Sequence, residues 1–273
     1  MNPPASEKLL HAAIRAALLA GEEILKVYTS DFAVEFKADK SPLTLADQNA
    51  NNIIAETLAP FGIPILSEEG RDIPWSERKN WETLWIVDPL DGTKEFVKKN
   101  GEFTVNIALI EKQKSILGVI YQPTARILYF ALHNRGSFRC DRAILTDSNP
   151  EERNLFLRTS KPLPLVSERT DYAVVASRSH LSEETEAFLS AVKTTHKKVD
   201  IVSIGSSLKF CLVAEGSADL YPRFGPTNEW DTAAGQAIVE CAGGEVIDCL
   251  TNQQMLYNRE EILNASFIAR RKH

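Results

Sequence analysis

The segment Trp85-Ile86-Val87-Asp88-Pro89-Leu90-Asp91-Gly92-Thr93 constrains this chain most, because an apolar, strand-like run breaks there into a turn holding two carboxylates three residues apart. Pro89 fixes φ and Gly92 admits a backbone conformation closed to other residues, so the turn can aim Asp88, Asp91 and the Leu90 carbonyl at one point. Hard oxygen donors in that arrangement suit Mg²⁺, which favours carboxylates, carbonyls and water over nitrogen or sulfur. Taken alone, Asp-Pro and Asp-Gly are also good turn formers on a loop tip. Two further acids shift the balance. Glu68 and Glu69 follow another apolar run, and Trp230-Asp231-Thr232-Ala233-Ala234-Gly235 sets an acid at an expected helix start, where an isolated Asp reads as an N-cap.

Around these acids the patterning is that of a mixed chain. Leu9, Leu10, Ala13, Ile14, Ala17, Leu18, Ile24, Leu25 and Tyr28 recur at helical spacing behind Ser6, which is expected to cap the helix. Asp39-Lys40-Ser41-Pro42 reads as a turn, and Thr44 to Leu58 as a second helix that stops before Pro60 and Gly62. Ile63 to Leu66 and Leu84 to Val87 read as buried strands ending in acids. Thr104 to Ile110, Ile116 to Tyr121 and Ile127 to Leu132 read as an antiparallel meander. A polar, proline-containing stretch from Asn149 to Thr170 is the candidate domain crossing. Beyond it, strands at Tyr172 to Ala176, Lys198 to Ile204 and Val246-Ile247 alternate with helices at Ser182 to Val192, Ser207 to Glu215 and Thr232 to Ala242, an α/β pattern. The expected domains are therefore residues 1–157, α+β, and 158–273, α/β.

Composition narrows the function classes. The 31 Lys and Arg against 37 Asp and Glu leave a net charge of −6 on 273 residues, which argues against a general binder of nucleic acid or anionic membrane. No stretch approaches the roughly 20 apolar residues that span a bilayer. Cys140, Cys211, Cys241 and Cys249 form no CxxC pair and have no histidine at zinc-like spacing, so reduced, non-ligating thiols are expected. With no export signal, the expected location is cytoplasmic.

The Glu68-Glu69 pair, Asp88-Pro89-Leu90-Asp91-Gly92-Thr93 and Trp230-Asp231-Thr232-Ala233-Ala234-Gly235, in that order, resemble the signatures of the inositol monophosphatase-like superfamily of Mg²⁺-dependent, lithium-sensitive phosphatases. The resemblance covers nearly the whole chain and implies a layered αβαβα sandwich with the site between its two parts. It makes Glu68, Asp88, the Leu90 carbonyl, Asp91 and Asp231 the ligands of two or more Mg²⁺ ions. It gives Asp47, through Thr93, the orientation and deprotonation of the attacking water, with Glu68 beside them in catalysis. The Gly92 and Thr93 amides, at an expected helix start, are assigned to hold a phosphate oxygen.

Three further stretches, Asp91 to Phe96, Asn100 to Asn106 and Tyr221 to Asp231, look like the CysQ-type 3'(2'),5'-bisphosphate nucleotidases, and Ser177-Arg178-Ser179-His180 and Ser207 to Gly216 fit the same group. The implied reaction converts adenosine 3',5'-bisphosphate to AMP and phosphate and extends to 3'-phosphoadenosine 5'-phosphosulfate, linking the chain to sulfate assimilation. Relatives are cytoplasmic, some peripheral at the inner membrane. Metals neutralise only the phosphate being cleaved, so the other phosphate and the sugar need protein donors. By resemblance these are His180, Ser206, Lys209 and Arg223. Without it, Lys209 reads as a solvated helix residue, Arg223 as a surface ion-pair partner and His180 as a helix-start residue. Inositol monophosphatase is the competing activity, because it shares every metal ligand. A catalytically silent nucleotide-binding module is the alternative of another class, opposed by the presence of both Asp47 and Thr93.

Overall fold

The computed structural model describes residues 3–29, 34–36, 42–144, 159–166, 168–176 and 182–272. The turn at Asp39 to Ser41, the first part of the expected crossing with the 157/158 boundary, and Ser177 to His180 lie outside the described residues.

Helix α1 (Pro3–Tyr28) buries Leu9, Leu10, Ala13, Ile14, Ala17, Leu18 and Ile24 along one face. It begins before Ser6, which therefore sits inside the helix and is not its cap. Pro3 and Pro4 are compatible with a first turn because N–H groups there have no intrahelical partner. A small hairpin, β1 (Val34–Phe36) with β2 (Pro42–Thr44), leads into α2 (Leu45–Leu58), whose buried side carries Ala46, Asp47, Ala50, Ile54 and Leu58. A 3₁₀ turn (Ala59–Phe61) closes it on Gly62 at φ 64°.

A seven-stranded sheet follows in the order β3 (Ile65–Ser67), β4 (Thr83–Asp91), β5 (Thr104–Glu111), β6 (Lys114–Gln122), β7 (Ile127–Leu132), β8 (Gly136–Asp141) and β9 (Lys161–Pro162). Short helices α3 (Trp75–Arg78) and α4 (Thr93–Val97) interrupt the sequence between strands. The expected meander is present and longer by β8. β3 pairs with β4 in parallel and the remaining neighbours are antiparallel. The last strand comes from beyond the 157/158 boundary.

The second sheet has the order β11 (Val199–Ser203), β10 (Tyr172–Ala176), β12 (Leu220–Arg223), β15 (Phe267–Arg270), β13 (Glu245–Asp248), β14 (Gln253–Gln254). Sequence patterning misses β12, where Pro222 masks a strand, and β15, which inserts between β12 and β13. Helices α5 (Glu183–Thr195), α6 (Leu208–Glu215) and α7 (Glu229–Cys241) complete the fold.

Alternation along the first sheet explains the layering. Trp85, Val87, Val105, Ile107, Leu109, Val119 and Phe130 join the core with α1 and α2, whereas Leu84, Ile86, Ala108, Ile110, Ile120 and Ala131 join the core with α6, α7 and the second sheet. Both faces are covered, so the strands are apolar throughout. Val174 and Leu220 of the second sheet meet Leu189 of α5 on its outer face. The layers run α1/α2, first sheet, α6/α7, second sheet, α5, the αβαβα order expected. Gly118 brings α7 close: a Cβ there would lie 2.3 Å from the Ala234 carbonyl oxygen.

Candidate active site

Strand β4 does not break at Val87. It pairs with β5 through Asp88↔Asn106, slips register, and resumes at Asp91↔Thr104, so the expected turn is a bulge within a strand. Gly92 closes the bulge at φ 95° and precedes Thr93, the first residue of α4. The bulge turns Asp88 inward, where Oδ1 accepts the Leu90 N–H at 3.1 Å and Oδ2 is buried with no hydrogen-bond partner among the described residues.

Asp231 reaches the same point from α7. Asn228 is the N-cap of this helix and Asp231 stands at its third position, accepting the Asn228 N–H at 2.6 Å in a reciprocal capping box. Asp231 is therefore not the N-cap that an isolated acid at a helix start would be. The helix start is braced by Glu229, fully buried, which accepts the Asn258 N–H at 2.8 Å and the Arg259 N–H at 2.9 Å. Asn264 Nδ2 donates to the Asn228 carbonyl at 2.6 Å.

Carboxylate oxygens of Asp88, Asp91 and Asp231 lie within 4.8 Å of one another. Burial, then the charges of Glu68, Asp91, Asp231 and Asp47, holds the Asp88 carboxyl well above the ordinary carboxylate range. Burial also raises Asp91, opposed by Lys209 and the Ser207 N–H, and lifts Asp231 to about 8, with Asp91 adding to the rise. An acidic cluster withdrawn from water, with one oxygen left unpartnered, is electrostatically incomplete without a cation, and its all-oxygen donor set fits Mg²⁺. The parallel pairing of β3 with β4 sets Glu68 alongside: its N–H donates to the Val87 carbonyl at 3.2 Å. Asp47, 2% exposed in the first turn of α2, completes the acidic surroundings of Asp88.

The cluster opens on a cleft lined by Gly92 and Glu95 from the first half and Ser206, Lys209, Arg223 and Phe210 from the second. Lys209 is not a solvated helix residue: it is 7% exposed, and burial lowers its ammonium to about 8 although Asp91 pulls the other way. Its Nζ donates to the Ser206 carbonyl at 2.5 Å. Arg223 Nη2 donates to the Pro226 carbonyl at 3.1 Å, and its buried Nε has no hydrogen-bond partner among the described residues. The Ser206 hydroxyl is likewise buried and unpaired among them. These donors therefore face a cleft. His180 lies outside the described residues.

Three residues at the site carry no role in the sequence reading. Asp91 Oδ2 accepts the Ser207 N–H at 2.5 Å and Asn106 Nδ2 at 3.4 Å. The Ser207 hydroxyl donates to Asn106 Oδ1 at 2.7 Å and lies 2.8 Å from Thr104 Oγ1. Thr104 and Asn106 belong to the Asn100 to Asn106 stretch, and Ser207 opens the Ser207 to Gly216 stretch. Their function is visible only once the two stretches meet.

A profile of the inositol monophosphatase family matches residues 5–273. The chain is 44% identical over 265 residues to the 3'(2'),5'-bisphosphate nucleotidase CysQ of Salmonella typhimurium, covering 95% of this chain and 98% of that one. The same figures hold for the CysQ of Escherichia coli strain K12. The crystal structure of CysQ from Bacteroides thetaiotaomicron, described as a bacterial member of the inositol monophosphatase family, superposes with a TM-score of 0.91 at 47% identity, covering 98% of each chain.

Proposed function

The chain belongs to the inositol monophosphatase family, and within it we propose a Mg²⁺-dependent 3'(2'),5'-bisphosphate nucleotidase that hydrolyses adenosine 3',5'-bisphosphate to AMP and phosphate. One observation carries this reading: Asp91 and Asp231 line one cleft with Lys209 and Arg223, and the buried Asp88 has a carboxylate oxygen within 4.8 Å of theirs. A substrate with one phosphate would need the acids and their metal but would bring no second phosphate to the two cations, which weighs against inositol monophosphatase.

In this assignment Glu68, Asp88, the Leu90 carbonyl, Asp91 and Asp231 hold the metal. When bound, Mg²⁺ supplies Lewis-acid polarisation of the scissile phosphate and a lowered pKa for bound water. Asp47 takes the proton of the attacking water by way of Thr93, and the Gly92 and Thr93 N–H groups hold a phosphate oxygen. Lys209, Arg223, Ser206 and His180 receive the uncleaved 5'-phosphate and the sugar, which aligns the 3'-phosphate for in-line attack. Water attacks phosphorus, the bond to the 3'-oxygen breaks, and that oxygen takes a proton from water in the cleft to become the hydroxyl of AMP, while the proton held by Asp47 returns to solvent. 3'-Phosphoadenosine 5'-phosphosulfate fits the same division of labour and connects the enzyme to sulfate assimilation. The site lies between parts 1–157 and 158–273. No helix among the described residues is long and apolar enough to cross a membrane, and the four unpaired cysteines agree with a cytoplasmic setting.

The test is phosphate release with Mg²⁺ from adenosine 3',5'-bisphosphate and inositol 1-phosphate at equal concentration. A strong preference for the nucleotide is expected. Preference for inositol phosphate would overturn the substrate assignment, and binding of the nucleotide without release from either would favour the silent module.

A further inference from the structure

The second half reaches the cleft through one short turn. Ser206 takes a left-handed conformation, φ 49°, and presents its carbonyl to Lys209 Nζ. The residue before it, Gly205, is buried, and its N–H donates to Glu102 Oε2 at 2.8 Å. A Cβ on Gly205 would lie 2.7 Å from Glu95 Cγ and 2.9 Å from the Glu102 carbonyl oxygen, so a larger residue could not seat the turn this deeply. Glu102 stands on a stiff loop. Its own N–H donates to Asn100 Oδ1 at 3.0 Å, and the neighbouring Gly101 carbonyl accepts Gln122 Nε2 at 3.0 Å and Thr124 Oγ1 at 2.7 Å. Glu102 does not line the cleft. Its carboxylate is turned onto an amide, away from the space an anionic substrate would fill.

We propose that Glu102 is a positioning residue for substrate selection: by holding the Gly205 N–H it fixes the Ser206 to Lys209 turn, so that the Lys209 ammonium and the Ser206 hydroxyl meet the phosphate that is not cleaved. This rests on the bisphosphate nucleotidase reading. One Lys209 N–H is spent on the Ser206 carbonyl, which leaves two for the substrate in an orientation the turn dictates. Releasing the turn should weaken recognition of the second phosphate more than it disturbs the acidic cluster, which would lose the Ser207 N–H on Asp91 but keep its other partners. Asp88 is held by the Leu90 N–H, Asp231 by the Asn228 N–H, and Asp91 keeps Asn106 as a partner.

The experiment compares wild type, Glu102→Ala, Glu102→Gln and Gly205→Ala on adenosine 3',5'-bisphosphate and on adenosine 3'-monophosphate, which lacks the second phosphate. Glu102→Ala should raise KM for the bisphosphate about tenfold, the usual weight of one lost hydrogen bond, with kcat within about twofold. Its kcat/KM on the monophosphate should stay within about twofold of wild type. Glu102→Gln, whose amide oxygen accepts the same N–H, should restore most of the KM, and Gly205→Ala should reproduce the alanine phenotype from the other side of the contact. Equal loss on both substrates, a fall in kcat at unchanged KM, or no rescue by glutamine would overturn the positioning role. If wild type itself shows no preference for the bisphosphate, the functional reading falls and takes this proposal with it. A wild-type preference left intact in Glu102→Ala overturns the proposal alone.

Discussion

Asp231→Asn should make the metal-free protein more stable while abolishing its activity. The Asp231 carboxyl rises from 3.8 to about 8 on folding because it is withdrawn from water beside Asp91 and Glu68. The folded state therefore holds this proton more tightly than the unfolded state, and stability is lost as pH rises from about 4 to about 8, levelling off above that. At pH 7 the loss is at most about 4 kcal/mol, from roughly 1.4 kcal/mol per pH unit over the interval crossed. Solvent reaching the rim of the cleft brings it to about 2–4 kcal/mol. Asparagine removes the charge and keeps an oxygen to accept the Asn228 N–H, so the capping box at the start of α7 survives. The variant should melt about 5–15 °C above wild type in EDTA at pH 7, and the gap should close towards pH 4. Mg²⁺ should close most of the gap: at about 100 times its Kd it adds roughly 2.7 kcal/mol to wild type and far less to the variant. Calorimetry across pH 4–8.5, with EDTA and with Mg²⁺, reads all of this. A variant less stable than wild type in EDTA at neutral pH, or an equal Mg²⁺ response in both proteins, would disprove the link between this proton and the metal.

Asp88→Asn and Asp91→Asn should each lower kcat about 10³-fold, since each removes a donor to a charge worth several kcal/mol in the transition state, while the circular dichroism spectrum stays that of wild type. Lys209→Met should raise KM for the bisphosphate about 10–100-fold, the range of a charged hydrogen bond. Because burial lowers the Lys209 ammonium to about 8, wild-type KM should also climb as pH passes that value; a KM that stays flat well above it would count against its role. Gly118→Ala should destabilise the fold by about 1–3 kcal/mol, because its Cβ would meet the Ala234 backbone oxygen at 2.3 Å and push α7 from the sheet. Thermal unfolding checks this, and an unchanged melting temperature, on the scale of roughly 2–4 °C per kcal/mol, would contradict it.

Local chemistry makes much of this protein legible in its sequence. The continuous apolar runs of Leu84 to Val87 and of the meander strands, the helical spacing of α1 and α2, and the acids behind Leu66 and Val87 are patterns written within a few neighbouring residues. Side-chain periodicity and turn preference act at that range. The errors are of the same kind. Ser6 looks like a cap until the helix is seen to start at Pro3, and Pro222 hides a strand that pairs with β15.

Residue types and their short-range order thus settle which side chains can form an acidic, oxygen-rich site, and that an antiparallel meander and an α/β half are both present. How these parts meet is a matter of three-dimensional packing. Ser207 reaches Asp91 across 116 residues, Asp231 arrives on a helix wedged between two sheets, and the strand at Phe267–Arg270 enters the middle of its sheet from near the end of the chain. Such contacts follow from burying whole faces and satisfying backbone groups between distant segments. A residue's neighbours along the chain carry no record of them.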